Sequence, residues 1–303
     1  MKIILDVDPG IDDAVALLIA LNNLKLDILA VTAANGNVGV NRSAYNALRI
    51  IEAAGKSVMV ARGASKPLFK RSIHAEHVHG RDGLGNSNLP KPRIKPSTLH
   101  AVKLIENLVK THKKKELTIV ATAPLTNIAM LLDKEPSIVK RLNKIVLMGG
   151  VYGIARGARG NVTPYAEFNF YCDPEAADIV MNSDARIIAV GLDVTMNYKC
   201  AVGKGMLKKI STLGGTAEIA SKVLAYPVFR YDIFHLHDVF AVASLLQPSM
   251  FRIVDCMVSV EKSGKFRGRC ITTLKKDHVK VCSSVDHKMF VKFVLEGLRQ
   301  HGS

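Results

Sequence analysis

The stretch Ile3-Ile4-Leu5-Asp6-Val7-Asp8-Pro9-Gly10-Ile11-Asp12-Asp13 decides the fold of this chain. It begins with an apolar run, typical of a strand that is buried on both faces. Asp6 and Asp8 precede the pair Pro9-Gly10, and Asp12 and Asp13 follow it. Residues Lys2–Asp8 are predicted to form a strand and Asp12–Asn22 a helix, with the Pro-Gly pair turning the chain between them. A strand that leads directly into a helix is the first half of a βαβ unit.

Short apolar strands and longer helical segments alternate onward from this stretch, which predicts an α/β fold. We expect an open, mostly parallel, doubly wound (Rossmann-like) sheet with helices on both faces and a small C-terminal antiparallel extension. With no repeat or linker, residues 1–303 are predicted to form a single domain. The further predicted strands are Asp27–Thr32, Ser57–Ala61, Leu117–Ala121, Lys144–Met148, Arg186–Val190, Phe251–Val260, Phe266–Thr273 and Val279–Val285. The further predicted helices are Asn41–Ala54, Thr98–Lys110, Leu125–Leu132, Pro174–Met181, Gly203–Leu224, Asp238–Leu246 and Asp286–Arg299.

The amino-acid composition is that of a globular protein from a reducing compartment. The chain has 303 residues, of which 48% are hydrophobic and 22% charged, as in ordinary globular proteins. Its 5 cysteines include no CxxC pair, which argues against a disulfide framework or a zinc site and favours a reducing compartment. No apolar signal-peptide core and no run of roughly 20 apolar residues is present, so we expect a cytoplasmic protein without membrane contact.

The formal net charge of +16 raises the question of a nucleic-acid partner. The basic residues are spread along the chain, and the densest groups, Lys113-Lys114-Lys115 and Lys275-Lys276, fall in predicted loops or helix ends. There is no arginine-rich arm and no basic motif interleaved with aromatic residues. We therefore expect a solvated basic surface and no nucleic-acid partner.

The aspartates after the first strand predict a metal site. Ligands of open α/β sheets bind at the carboxyl ends of the strands, and clustered carboxylates repel one another unless a cation lies between them. Oxygen ligands favour Ca²⁺ or Mg²⁺ over zinc, and a high ligand count favours Ca²⁺. One alternative is that Asp12 only caps the helix. Another is a Mg²⁺-dependent phosphohydrolase, in which Asp6 is the nucleophile and Asp8 the acid.

With these residues in view, the chain resembles the inosine–uridine-preferring nucleoside hydrolase family, most closely its broad-specificity ribonucleoside hydrolases. The resemblance extends over nearly the whole length, and its motifs are specific when taken together in this order. The matching segments are 8–13 (DPGIDD), 34–37 (ANGN), 78–85 (VHGRDGLG), 123–129 (APLTNIA), 146–150 (VLMGG), 160–164 (GNVTP), 166–169 (AEFN), 173–177 (DPEAA), 191–195 (GLDVT) and 237–238 (HD).

The resemblance implies a hydrolase, a glycosidase that cuts the bond between base and ribose for nucleoside salvage. Asp8, Asp13 and Asp238 would supply side-chain oxygens to Ca²⁺, and Thr122 its backbone carbonyl. Asp8 would also act as the general base toward a water held by the metal, and His237 would donate a proton to the departing base. The resemblance further implies a homodimer or homotetramer and a small nucleoside as the substrate.

The resemblance also implies a set of substrate contacts. Ribose hydroxyls would be bound by Asp12, Asn37, Asn161, Glu167 and Asn169, Met148 and Phe168 would line the pocket, and His79 would lie over the base. Glu167 and Asn169 are two residues apart, so on an extended segment they would face the same side. An acidic pocket of this kind suits the positive charge that develops on the sugar in glycosidic cleavage.

Two departures from the family pattern bear on the site. Ala123 stands where the family usually has glycine, and it would be strained if the position required a positive φ. The segment between Gly150 and Asn161 is longer than expected, which affects where Asn161 lies. From a different functional class, a non-catalytic nucleoside or ribose binder remains an alternative. The phosphohydrolase alternative predicts phosphate release and Mg²⁺ dependence.

Overall fold

The computed structural model describes residues 1–275 and 277–299, and in this part of the chain nine strands form one open sheet. With a separate pair, the described residues form eleven strands: β1 (Lys2–Val7), β2 (Asp27–Ala33), β3 (Val60–Arg62), β4 (Leu117–Ala121), β5 (Lys144–Met148), β6 (Ile187–Val190), β7 (Val202–Gly203), β8 (Ile233–Phe234), β9 (Phe251–Val260), β10 (Cys270–Leu274) and β11 (Val279–Val285). The sheet order is β10-β9-β11-β6-β5-β4-β1-β2-β3, and β7 pairs with β8 separately. Only the pairs of β9 with β10 and with β11 are antiparallel within the large sheet, which confirms the predicted architecture.

Twelve α-helices connect the strands in the described ranges. They are α1 (Ile11–Asn22), α2 (Val40–Ala53), α3 (Glu76–His79), α4 (Ala101–Thr111), α5 (Thr126–Lys134), α6 (Phe168–Cys172), α7 (Pro174–Met181), α8 (Leu192–Thr195), α9 (Lys204–Ser211), α10 (Thr216–Tyr231), α11 (His237–Leu246) and α12 (His287–Leu298). No helix of the described residues has the length and apolarity needed to cross a membrane.

The core lies on both faces of the sheet, as side-chain alternation in β1 illustrates. Ile3 and Leu5 pack into a cluster built with α1, α2, α10, α11 and α12. Ile4, which points the opposite way, packs with residues of α4, α5 and α7. Because β1 is buried on both faces, its sequence is a continuous apolar run up to Asp6.

Some predicted elements were wrong in extent. The single helix predicted over Gly203–Leu224 is two helices, α9 and α10, because Gly214 and Gly215 adopt φ values of 71° and 58° between them. The strand predicted over Phe266–Thr273 starts only at Cys270, since Gly268 (φ 79°) turns the chain before it. The strand predicted over Ser57–Ala61 is the shorter β3, Val60–Arg62. Of the predicted basic loop groups, Lys276 lies outside the described residues.

Parallel pairing of the central strands positions the site. β1 runs parallel to β2 and β4, and β4 runs parallel to β5. Their carboxyl ends therefore meet at one edge of the sheet. The segments that leave this edge begin with Asp8, Ala34, Thr122 and Gly149.

Candidate active site

Four buried aspartates lie where the first turns of two helices meet. Asp12 and Asp13 are in the first turn of α1, and Asp238 is in the first turn of α11. One carboxylate oxygen from each of these three residues lies within 4.8 Å of the other two. Asp8, which follows β1, is fully buried but is not a member of this close group of described residues. Helix N-termini favour negative charge, so both helices help to hold the carboxylates.

Hydrogen bonds fix the orientation of these carboxylates. The backbone N–H of Asn37 donates to Asp8 Oδ2 at 2.6 Å, and that of Gly10 donates to Asp13 Oδ2 at 3.0 Å. The hydroxyl of Thr122 donates to Asp13 Oδ1 at 2.7 Å. Because α1 begins at Ile11, Asp12 is not its N-cap, so the capping alternative fails for this residue.

The aspartate cluster is electrostatically unfavourable without a cation. Burial, followed by repulsion from Asp13, raises the pKa of Asp8 well above its usual value and that of Asp12 to about 7. Burial and the charge of Asp12 likewise raise the pKa of Asp238. Asp8 Oδ1 and Asp12 Oδ1 are buried without a hydrogen-bond partner among the described residues. Unpaired buried oxygens in an all-oxygen donor set fit a hard divalent cation.

Asp6 has a different environment from the other aspartates. Its Oδ1 accepts hydrogen bonds from the hydroxyl of Thr32 at 2.6 Å and from Asn127 Nδ2 at 2.8 Å. The residue is fully buried, and burial raises its pKa to about 6 despite these bonds. Thr32 and Asn127 hold this carboxylate within the packing of β1 against β2 and α5, which favours a structural role over that of the nucleophile in the phosphohydrolase alternative.

A cavity of about 520 Å³ opens beside the aspartates. Asp8 and Asp13 do not contribute to its lining, and they are the two members of the predicted site that are fully buried. The other eleven predicted site residues all line it: Asp12, Asn37, His79, Thr122, Met148, Asn161, Glu167, Phe168, Asn169, His237 and Asp238. The cavity therefore brings together residues that the sequence spreads over most of the chain.

Glu167 and Asn169 do not lie on an extended segment, contrary to the prediction. Glu167 caps α6, and its carboxylate accepts hydrogen bonds from the backbone N–H groups of Asn169 (2.9 Å) and Gly150 (2.9 Å). Asn169 Nδ2 donates to the carbonyls of Thr122 (2.7 Å) and Met148 (3.2 Å). Because the Nδ2 hydrogens are used in this way, the amide oxygen of Asn169 remains as an acceptor.

Five histidines line the cavity, and three of them, His79, His235 and His237, are held by hydrogen bonds to α1 and α8. His79 Nδ1 accepts a hydrogen bond from the backbone N–H of Ile11 at 3.0 Å, so a neutral His79 carries its proton on Nε2. Its ring meets Phe234 edge to face, with centroids 6.3 Å apart. Burial, with a smaller effect from His77, lowers the pKa of His79 to about 4.

His237 stacks on His235, with ring centroids 5.6 Å apart and an angle of 25° between the planes. Its Nδ1 lies 2.7 Å from Thr195 Oγ1, and His235 Nδ1 lies 3.1 Å from the Thr195 carbonyl oxygen. Burial, followed by the nearby His235 and His79, lowers the pKa of His237 to about 3. Burial also lowers the pKa of His235, so the surroundings of all three rings favour the neutral form.

The two departures noted in the sequence are accommodated locally. Ala123 is buried and is not among the described residues with positive φ, so its side chain introduces no backbone strain. The longer segment after Gly150 is anchored by Asp193, whose carboxylate accepts hydrogen bonds from the backbone N–H groups of Tyr152 (2.7 Å) and Ile154 (2.7 Å). Asn161 consequently reaches the cavity.

Comparison with known proteins identifies the family. Residues 3–292 match the family described as inosine-uridine preferring nucleoside hydrolase. The chain belongs to this family. Its members are ribonucleoside hydrolases, enzymes that hydrolyse N-glycosyl bonds, and this nucleoside hydrolase is an enzyme of that class. The resemblance stated from the motifs is thereby confirmed.

Curated relatives and solved structures cover most or all of this nucleoside hydrolase. It is 40% identical over 271 residues to the pyrimidine-specific ribonucleoside hydrolase RihA of Photobacterium profundum, covering 86% of this chain and 85% of the relative. A plant nucleoside hydrolase, PpNRh1, superposes with a TM-score of 0.92 at 30% identity, covering 99% of both chains. A purine-preferring ribonucleoside hydrolase from Gardnerella vaginalis superposes with a TM-score of 0.91 at 30% identity, covering 98% of both.

Sequence reasoning missed several residues of the nucleoside hydrolase cavity. His235 was not singled out, although the alternating pair His235-x-His237 was a usable signal, and neither was Thr195, which contacts both histidines without lining the cavity. The remaining lining residues that were not named individually are Ile73, His74, Ala75, His77, Val78, Val162, Tyr231, Ile233 and Phe234. Apart from Val162, which precedes α6, they come from the segment around α3 and from the end of α10 and β8.

Proposed function

We propose that this nucleoside hydrolase cleaves the N-glycosidic bond of purine and pyrimidine ribonucleosides in a Ca²⁺-dependent reaction, giving free base and ribose. The observation that carries the proposal is one cavity lined both by buried carboxylates and by the histidines His79, His235 and His237. The carboxylates suit a sugar that gains positive charge as the bond breaks. The histidines suit a departing heterocycle.

The residues proposed to hold Ca²⁺ are Asp8, Asp13, Asp238 and the carbonyl of Thr122. The three-residue group of close carboxylates adds Asp12 as a further candidate ligand. Bound Ca²⁺ would offset the repulsion among these carboxylates and polarise the attacking water. Asp8 would be the general base. Its Oδ2 is engaged by the N–H of Asn37, so the unpaired Oδ1 is the oxygen available to take the proton.

Ribose would be bound by the polar side chains around the aspartates. Asp12, Asn37, Asn161, Glu167 and Asn169 are the proposed partners of its hydroxyls, and Met148 and Phe168 would provide apolar contacts. Glu167 and Asn169 are each held by hydrogen bonds to backbone groups, so they offer fixed acceptors. A buried acceptor that loses its hydroxyl partner is penalised, so deoxyribonucleosides would be poor substrates by a factor of roughly 10⁴.

The base would lie against His79 and His237. The named relatives span both base classes, since one is called pyrimidine-specific and another purine-preferring. His237 would assist departure of the base as the leaving-group acid, and His79 would lie over its ring. Tyr231 and Phe234 also line the cavity, one with a hydroxyl group and the other with an apolar ring. They are candidates for setting the preference between bases.

The test is a panel of uridine, cytidine, inosine and adenosine, assayed for reducing sugar with and without a chelator. We expect ribose release that stops on chelation and returns with added Ca²⁺, and no turnover by Asp8→Ala. Near-normal cleavage by that variant would contradict the role given to Asp8. Tight binding in isothermal titration without product release would favour the non-catalytic binder, and phosphate release from phosphomonoesters would favour the phosphohydrolase.

We also propose a cytoplasmic, single-domain enzyme of nucleoside salvage that forms a homodimer or homotetramer. The five cysteines are all free, as expected in a reducing compartment. Light scattering coupled to size-exclusion chromatography tests the oligomer, and a monomer at micromolar concentration would contradict it.

A further inference from the structure

Thr195 contacts both stacked histidines of the cavity through different atoms. It is the last residue of α8 and is fully buried. Its hydroxyl oxygen lies 2.7 Å from Nδ1 of His237, and its backbone carbonyl oxygen lies 3.1 Å from Nδ1 of His235. Thr195 therefore contacts the Nδ1 atom of both neighbouring imidazole rings.

These contacts determine where the ring protons are. A carbonyl oxygen can only accept, so a neutral His235 must carry its proton on Nδ1 and present a bare Nε2. The hydroxyl of Thr195 has one proton, and His237 Nδ1 is its one hydrogen-bond partner among the described residues. If His237 carried its proton on Nδ1, the hydroxyl proton would be buried without an acceptor, which is unfavourable. The arrangement that satisfies every group has the hydroxyl donating to Nδ1.

We propose that Thr195 is a positioning residue that keeps the proton of neutral His237 on Nε2, from which it donates a hydrogen bond to the departing base. This inference rests on the proposed function. The role of leaving-group acid proposed for His237 is thereby narrowed to that of a hydrogen-bond donor: the proton stays on the ring, because giving it up would leave an imidazolate. The base leaves with the electron pair of the glycosidic bond, and solvent supplies its proton. His237 thus stabilises developing negative charge without changing its own protonation state.

Nitrogen NMR of the ¹⁵N-histidine-labelled protein reads the proton positions directly. At neutral pH we expect His237 with a protonated Nε2 and a bare Nδ1, its signals being assigned by their loss in His237→Ala. Thr195→Val, which keeps the shape but removes the donor, should give a mixture of tautomers, and Thr195→Ser should restore the Nε2 form. His235 is an internal control, because its partner is a backbone carbonyl that both variants retain.

Kinetics provide the second readout. We expect Thr195→Val to lower kcat for uridine about tenfold while leaving KM nearly constant, since the lost interaction matters as the bond breaks. Hydrolysis of 4-nitrophenyl riboside should change far less, because that leaving group needs no hydrogen bond. Thr195→Ser should recover most of the uridine rate.

A wild-type His237 with its proton on Nδ1 would overturn the inference, even if Thr195→Val failed to fold. So would an unchanged His237 tautomer in Thr195→Val, or equal rate losses with uridine and the nitrophenyl riboside. These outcomes are separable from failure of the proposed function. A wild-type protein that hydrolyses no nucleoside would refute the function, whereas the NMR result would still test the role of Thr195.

Discussion

Replacement of Gly36 by alanine should disable the active site while leaving most of the fold intact. A Cβ atom added at Gly36 would lie 1.9 Å from Asp8 Oδ2 and 2.7 Å from Asp8 Cγ, whereas such contacts under 3.0 Å essentially never occur. The carboxylate of Asp8 must therefore move by about 1 Å, and a misplacement of this size can cost about 100-fold in rate. Moving it also weakens the 2.6 Å hydrogen bond from the N–H of Asn37, which adds about 1–3 kcal/mol of instability.

The assay compares kcat/KM for uridine in Gly36→Ala and Gly39→Ala. Gly39 lies in the same loop, and a Cβ atom there meets nothing within 4 Å, so it is a matched control for the added methyl group. We expect a loss of about 100-fold in Gly36→Ala and a change of less than about threefold in Gly39→Ala. A Gly36→Ala enzyme within a few-fold of wild type would refute the reasoning, because Asp8 would then tolerate displacement.

Three further predictions concern the cation, the base and stability. Ca²⁺ should raise the Tm of the wild type but not that of Asp238→Asn, since the variant lacks one proposed ligand; equal Tm shifts in thermal scans would argue against that ligand. His237→Ala should slow inosine hydrolysis more than 4-nitrophenyl riboside hydrolysis, and equal losses would argue against a leaving-group role. Hydrogen bonds from Lys110 and then Lys134 lower the pKa of Glu106 to about 2. A lowered pKa contributes stability above the ordinary value of 4.5 that is lost as pH falls toward 2, so the Tm difference between wild type and Glu106→Gln should shrink over that range. A gap that stays constant across this range would contradict the prediction.

Much of the sheet could be predicted from local patterns: β4 and β5 are buried on both faces and have apolar sequences, whereas β9 and β11 are only partly buried and mix apolar with polar residues. The predicted bounds of Leu117–Ala121, Lys144–Met148, Phe251–Val260 and Val279–Val285 agree with the structure. Apolar runs of this kind are a local signal. The break at Gly214–Gly215 was missed, because the apolar periodicity continues across it and positive φ at a glycine is not visible in the sequence.

The site was predictable where residues follow strand ends and less so where partners come together only in the fold. The aspartates after β1 were visible from the sequence as an unusual concentration of charge. The pairing of Thr195 with His237, in contrast, depends on how α8 and α11 pack, and nothing local in either segment indicates it. The extended chain predicted at Glu167 and Asn169 was wrong for a different reason: Glu167 caps α6 through the N–H groups of Asn169 and Phe170, and this helix of 5 residues is too short to show a helical period.

The aspartate group joins α1, near the start of the chain, to α11, in its last third. Like charges at this junction oppose docking of the two helices, so assembly of the C-terminal region should be the step most sensitive to divalent ions. A nascent chain can complete the pocket only after α11 has been synthesised. The protein would then become active only after α1 and α11 have docked, with the bound ion holding the early and the late segment together.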